Sequence, residues 1–455
     1  MFGNILFKYF DYLSYFTVSF IIFCVNFFTF REILNLNIYL IIFFSLLHSI
    51  GSIFFIKHYL KNTLKNVFFK NKQELTNFFK KNYIELLLIL AVSIVSFLIA
   101  YTYYSYIQNN NLFNLFYART TVVALPSIFN GFQNLIAAVI FSITAVLFYI
   151  FLRSTFISRF VSFLFSLYFC SSQINLYNLI PSPLRDYAKA PMIFIFSISL
   201  IYLIKNIHKS GIEKLLIFFT ILSIFFGLWV RADFLLFGFI FLIFLIYFFI
   251  VQDHENKIIS YFQTLGLLFF LCIPHIIYQM YSIGDNFAVA SSFVTIQNNS
   301  LGIINGLYDS GHIFLDEYFR NLIFFDKNYT INNIFYFPYS FFQKIVAIQI
   351  NILNLPFKYI LPPVGIDNFV MENIYLFRNY TINYFYNVIF VIFYISVILL
   401  IFRNYKIGFP IGLYFIILIT YPLIQNQIRH YFFLEIMSFW SIGYLLDYII
   451  LKYKK

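Results

Sequence analysis

Long apolar runs separated by short polar gaps set the character of this chain. Runs of about 18 residues or more recur from end to end, each long enough to cross roughly 30 Å of hydrocarbon. The pattern predicts about twelve spans, at 12–30, 37–56, 84–103, 131–152, 160–180, 190–204, 213–230, 234–251, 258–281, 382–402, 407–424 and 431–450. Lipid offers backbone polar groups no water, so helices that bond internally are expected and open sheets are not. The expected fold is all-α, a polytopic helical bundle in three parts. Residues 1–281 carry about nine spans, 282–381 form one long outer segment, and 382–455 carry the last spans.

Composition supports this pattern. The chain has 455 residues, of which 62% are hydrophobic and 11% charged, and a soluble protein of this size carries far more surface charge. A net charge of +12 would suit nucleic acid, but the basic residues sit at the ends of apolar runs, as membrane anchors do. Membrane lipid is therefore the expected partner, and nucleic acid is not. Under twelve spans one face collects Lys8, the lysines of 57–82, Arg153, Arg159, Lys205, Lys209, Lys214, Lys257, Arg403, Lys406 and the C-terminal lysines. The positive-inside rule makes that face cytoplasmic, with both termini on it, in a multi-pass protein of the cell (inner) membrane. The stretch 57–82 reads as a topology determinant or as a surface for anionic lipid. Cys24, Cys170 and Cys272 each lie inside an apolar run without metal-ligand spacing, so all three are expected to be buried packing residues.

The opposite face has polar residues of another kind. One island is Pro181-Ser182-Pro183-Leu184-Arg185-Asp186-Tyr187-Ala188-Lys189-Ala190-Pro191. A second, Trp229-Val230-Arg231-Ala232-Asp233-Phe234, repeats the arginine-aspartate theme where an apolar run folds back. Arg31, Glu32, Arg119, the segment 282–381 and Arg429-His430 fall on the same face. Charges at membrane depth are costly unless they face protein or water, so the two islands read together as one polar site. Taken singly, Arg231 and Asp233 also read as the punctuation of a tight hairpin. In the outer segment, His312, Asp316 and Glu317 fit either a cation or a solvated helical face. The sequence has no phosphate-binding Walker loop, dinucleotide fingerprint, HExxH or nucleophile elbow.

Many spans, outward Arg/Asp islands, a long outer segment late in the chain and the step Gln427-Ile428-Arg429-His430-Tyr431-Phe432 resemble the GT-C class of integral membrane glycosyltransferases. Members of that class carry an arginine-tyrosine motif near their C-terminal spans. The resemblance implies transfer of a sugar from a polyprenyl-phosphate-linked donor to an acceptor at the outer face of the membrane. Such chemistry asks for a carboxylate to take the acceptor's proton and for cations to steady the leaving phosphate. It implies Asp186, Asp233 or Glu32 as the base, and Arg185, Lys189, Arg231, Arg429 and His430 as donor contacts. Metal identity is left open, a divalent cation included. The chain departs from the class in its first outer loop, about 31–36, which offers Glu32 where an acidic pair is usual. Either Glu32 serves alone, or Asp186 or Asp233 has taken its role, or activity is lost. Two alternatives stand beside this one: a polysaccharide polymerase or ligase of the O-antigen type, and a transporter or lipid-linked sugar flippase.

Overall fold

The computed structural model describes residues 19–24, 26–27, 37–60, 72–109, 133–172, 189–206, 212–230, 234–251, 257–282, 346, 349–350, 352–354, 356, 373, 376–377, 380–381, 383–420 and 434–453. Among them there are twelve helices and no strand. The α-helices are α1 (Ile38–Leu60), α2 (Lys72–Asn109), α3 (Gln133–Ser154), α4 (Arg159–Cys170), α5 (Lys189–Lys205), α6 (Ile212–Val230), α7 (Leu235–Val251), α8 (Lys257–Ser282), α9 (Ile389–Arg403), α10 (Tyr405–Thr420) and α11 (Glu435–Tyr453). A short 3-10 turn, Asn383–Val388, leads into α9.

Three stretches are long and apolar enough to cross a membrane: Ile38–Lys57, Lys80–Thr102 and Ala137–Ser154. Helix α1 shows the surface chemistry that goes with this. Its outward side carries exposed Phe43, Leu47, Ile50 and Phe54, while Ser45, Ser49 and Ser52 are buried. Such an arrangement is inside-out for water and natural for lipid, where small polar residues line helix contacts. The structure therefore supports a membrane protein built from helices.

The chain divides into two compact units. Unit 1 comprises residues 1–87 and 195–291, and unit 2 comprises 88–194 and 292–455. Helices α2 and α5 each contribute to both.

Unit 1 packs α8 against α6, α7 and α1. Its α6–α7 hairpin is closed by Phe234, whose fully buried ring lies over Gly227. A Cβ on Gly227 would stand 2.1 Å from Phe234 Cδ1, so only glycine admits the ring there. Stacking of Phe234 on Phe237 (4.7 Å between centroids) continues the contact into α7. Helices α6 and α7 thus pack on each other, while residues 231–233 of the second island lie outside the described residues.

Unit 2 is built on α9, packed against α10 and α11, with α4 lying between α3 and α11. Asn404 alone separates α9 from α10. Gly408 makes that sharp return fit, because a Cβ there would fall 2.2 Å from the Leu400 carbonyl oxygen. The core is aromatic. Trp440 meets Phe415 (4.5 Å) and Phe393 (5.8 Å), and Phe148 meets Phe169 (5.0 Å) and Phe194 (6.0 Å). Trp440 Nε1 donates to Thr155 Oγ1 at 3.0 Å, which gives the buried indole N–H its partner.

Several expected boundaries move. Helix α2 begins at Lys72, inside the basic stretch expected to precede its span. Helix α4 ends at Cys170, where the run was expected to continue to about 180. Ser171 donates to the Tyr168 carbonyl there, closing the helix end. At twelve residues α4 is ~18 Å long, short of a membrane's width. Cys170 and Cys272 are buried as expected, but Cys24 is only half-buried.

Candidate functional site

One end of unit 2 gathers the basic residues of α3, α4 and α9. Arg153 Nη1 donates to the Ile157 carbonyl in the α3–α4 turn. Arg403 Nη1 donates to the Phe156 carbonyl at 3.4 Å, with its guanidinium over the Phe156 ring (5.1 Å to the centroid). Phe156 adopts φ = 71°, a left-handed conformation unusual for a bulky residue. These contacts join the turn to the C-terminus of α9. Two of the basic residues expected on one face, Arg153 and Arg403, thus meet at this turn and hold it together.

The opposite ends of the same helices carry a different set of groups. Ser172 Oγ, just past α4, donates to Glu435 Oε2 at 2.6 Å. Both residues are 0% exposed. Glu435 opens α11, where a carboxyl group is favoured by the helix dipole. Ser438, one turn on, donates to the Leu353 carbonyl at 2.7 Å. Tyr394 donates to Gln349 Oε1 at 2.5 Å, and Gln349 Nε2 donates to Thr420 Oγ1 at 3.1 Å, at the last residue of α10. Tyr168 and Thr381 share a hydroxyl bond of 2.5 Å beside the Tyr168–Phe377 ring contact. The described pieces of the outer segment, around 349–354 and 377–381, therefore lie on this end of the helices.

Lys189 is the one expected site residue that falls among the described residues. It opens α5, and its side chain is 0% exposed. An ammonium at a helix N-terminus meets the positive end of the dipole and, once buried, needs anionic or carbonyl company. Phe194, five residues into α5, touches Phe151 at 6.0 Å. Phe151 touches Phe415 at 5.7 Å, and Phe415 touches Trp440, five residues into α11. The helices opened by Lys189 and Glu435 thus insert the same distance before reaching one aromatic layer.

Arg185, Asp186, Arg429, His430, Arg231, Asp233 and Glu32 lie outside the described residues, as do His312, Asp316 and Glu317. Arg185 and Asp186 belong to the stretch between Ser172 and Lys189, and Arg429 lies six residues before Glu435. All of these belong to unit 2, whereas Glu32, Arg231 and Asp233 belong to unit 1. Among the described residues no group of three His, Cys, Asp or Glu side chains is placed to hold a metal ion.

Sequence reasoning missed Glu435 and Ser172. An acid opening an apolar run is a helix-start signal, and Glu435 was absorbed into its span without chemistry of its own. Comparison of the chain with protein-family models, with curated proteins and with solved structures gives no match in any of the three.

Proposed function

We propose that the chain is a polytopic protein of about twelve spans that transfers a sugar from a polyprenyl-phosphate-type donor at the outer face of the cell membrane. The reading places both termini in the cytoplasm, with the arginine-stapled end of unit 2 facing it. The observation that carries it is the Ser172–Glu435 hydrogen bond. That bond joins Ser172, which precedes the stretch bearing Arg185-Asp186 in the chain, to Glu435, which follows Arg429-His430. In this assignment Arg185 and Arg429 hold the leaving phosphate, since forked guanidinium donors suit its oxygens. Asp186 takes the acceptor's proton. Lys189, having no exposed surface, acts from within the protein, and Glu435 opens the helix that follows Arg429-His430 in the chain. Asp233, Arg231 and Glu32 of unit 1 are further candidates for the same chemistry.

The test is transfer of labelled sugar from a panel of polyprenyl-phosphate-linked donors by the purified full chain in lipid nanodiscs. Asp186→Asn and Arg429→Ala should abolish transfer while elution profile and thermal stability stay unchanged. Full activity in both variants removes the assignment. Accumulation of single repeat units in cells lacking the protein would favour a polymerase.

A further inference from the structure

The geometry points to His48 as a proton-binding site inside the membrane-embedded part of unit 1, built from Asn26 and a carbonyl that a proline leaves unbonded. The inference goes beyond sugar transfer and does not depend on it.

It begins with Pro274. Residue 274 lies inside α8 and, as a proline, offers no N–H to the carbonyl four residues earlier. That carbonyl belongs to Phe270. In lipid, where no water can reach it, an unbonded carbonyl is strongly unfavourable. His48 of α1 supplies the missing donor, with Nε2 3.0 Å from the Phe270 oxygen and its ring stacked on the Phe270 ring at 4.9 Å. His48 lies near the middle of the apolar stretch Ile38–Lys57. An ionisable side chain at such depth is a functional signal in itself.

The bond fixes the tautomer. A carbonyl oxygen only accepts, so Nε2 carries the hydrogen, and in a neutral ring Nδ1 is then the acceptor. Asn26 Nδ2 stands 2.7 Å from Nδ1 and donates to it. Asn26 is 0% exposed, and its Oδ1 has no hydrogen-bond partner among the described residues. That oxygen is the second half of the site. When a proton from water adds to Nδ1, the Asn26 amide turns over and Oδ1 accepts from Nδ1–H. The imidazolium then has both N–H groups bonded, one to Oδ1 and one to the Phe270 carbonyl. The amide changes its role while the heavy atoms stay close to their places.

The surroundings leave the ring as the group that titrates. The helices packed most closely on α1 are α8 and α6. Titratable side chains with described surroundings on those elements are Tyr261 and Cys272 of α8, and Glu213 and Lys214 of α6, with Cys24 preceding Asn26 by two residues. Glu213 and Lys214 act on Tyr59, three turns along α1 from His48. Among the described residues no charged side chain bonds the imidazole, and its partners are the Asn26 amide and the Phe270 carbonyl.

The test is solid-state NMR of the full chain in liposomes with ¹⁵N-labelled histidine, the His48 signals being assigned by their loss in His48→Gln. At high pH Nε2 should be protonated and Nδ1 bare. On acidification Nδ1 should gain a proton while the Nε2 shift hardly moves. In Asn26→Leu the proton should bind about tenfold more weakly, a midpoint about one pH unit lower. In Asn26→Asp it should bind more tightly. The wild-type spectra are decisive even if either variant misfolds. A His48 that stays neutral while the other histidines titrate, or whose neutral form carries its hydrogen on Nδ1, overturns the inference. A midpoint indifferent to both Asn26 substitutions overturns it as well.

Discussion

Removing the Ser172 hydroxyl is the sharpest probe of how unit 2 is held together. Its oxygen donates to Glu435 Oε2 at 2.6 Å, and neither residue has exposed surface, so no water replaces the bond. A hydrogen bond to a charged acceptor contributes ~1.5–3 kcal/mol, and leaving a buried acceptor without its donor costs about the same. Ser172→Ala should therefore destabilise unit 2 by about 2 kcal/mol. Glu435→Gln keeps the shape and still offers an acceptor, so it retains part of the bond. A double-mutant cycle of Ser172→Ala and Glu435→Ala isolates the pair. The two changes should couple by ~1–3 kcal/mol, measured as equilibrium unfolding of the full chain in mixed micelles. Strictly additive effects would mean that the hydroxyl and the carboxyl group do not meet, and the link between the two segments would be lost with them.

Other parts of the fold carry equally specific expectations. Gly408→Ala places a methyl against the Leu400 backbone, where no rotamer change gives relief. It should destabilise the α9–α10 hairpin by about 3 kcal/mol, the upper end of overpacking costs, and a neutral result in thermal unfolding would contradict the close approach. Tyr394→Phe removes the donor to Gln349 Oε1 and should cost ~1–2 kcal/mol while loosening the outer segment. Increased proteolysis near 349–354 is the readout, and unchanged digestion would argue against that anchoring. Burial pushes the Tyr59 phenol up, against a smaller opposing effect of its bond to Thr264 and with Glu213 adding to the rise. Since its folded value exceeds the unfolded value near 10, its contribution is intact below pH ~10 and fades as pH climbs further. Tyr59→Phe should flatten that alkaline loss, and identical alkaline unfolding profiles would refute the burial argument.

Legibility in the sequence follows what hydropathy can detect. Helix α8 runs Lys257–Ser282 where apolar periodicity gives 258–281, because lysine and serine frame a run that is apolar over most of its length. The α6–α7 return is equally legible, since Arg231 and Asp233 interrupt a long apolar stretch. The extension of α2 back to Lys72 is not, because Glu74, Lys80 and Lys81 are good helix formers that hydropathy discards. Nor is the end of α4, where inside an apolar run Ser171 closes the helix with its hydroxyl and Ser172 with its backbone N–H. The site shows the same division. Conspicuous charges such as Lys189 stand out in the sequence. Glu435, Gln349 and His48 gain their meaning from partners 263, 71 and 222 residues away, and no local pattern encodes that.

The central claim is that Arg185-Asp186 and Arg429-His430 share one side of the membrane, opposite the arginine-stapled turns. Single cysteines at Ser182, Gln427 and Asn404, in a chain with Cys24, Cys170 and Cys272 replaced by alanine, test it with a membrane-impermeant maleimide applied to intact cells. Cysteines at 182 and 427 should be labelled from outside, and the exposed position 404 only after the cells are opened. Labelling of 182 and 427 from opposite sides would contradict the account.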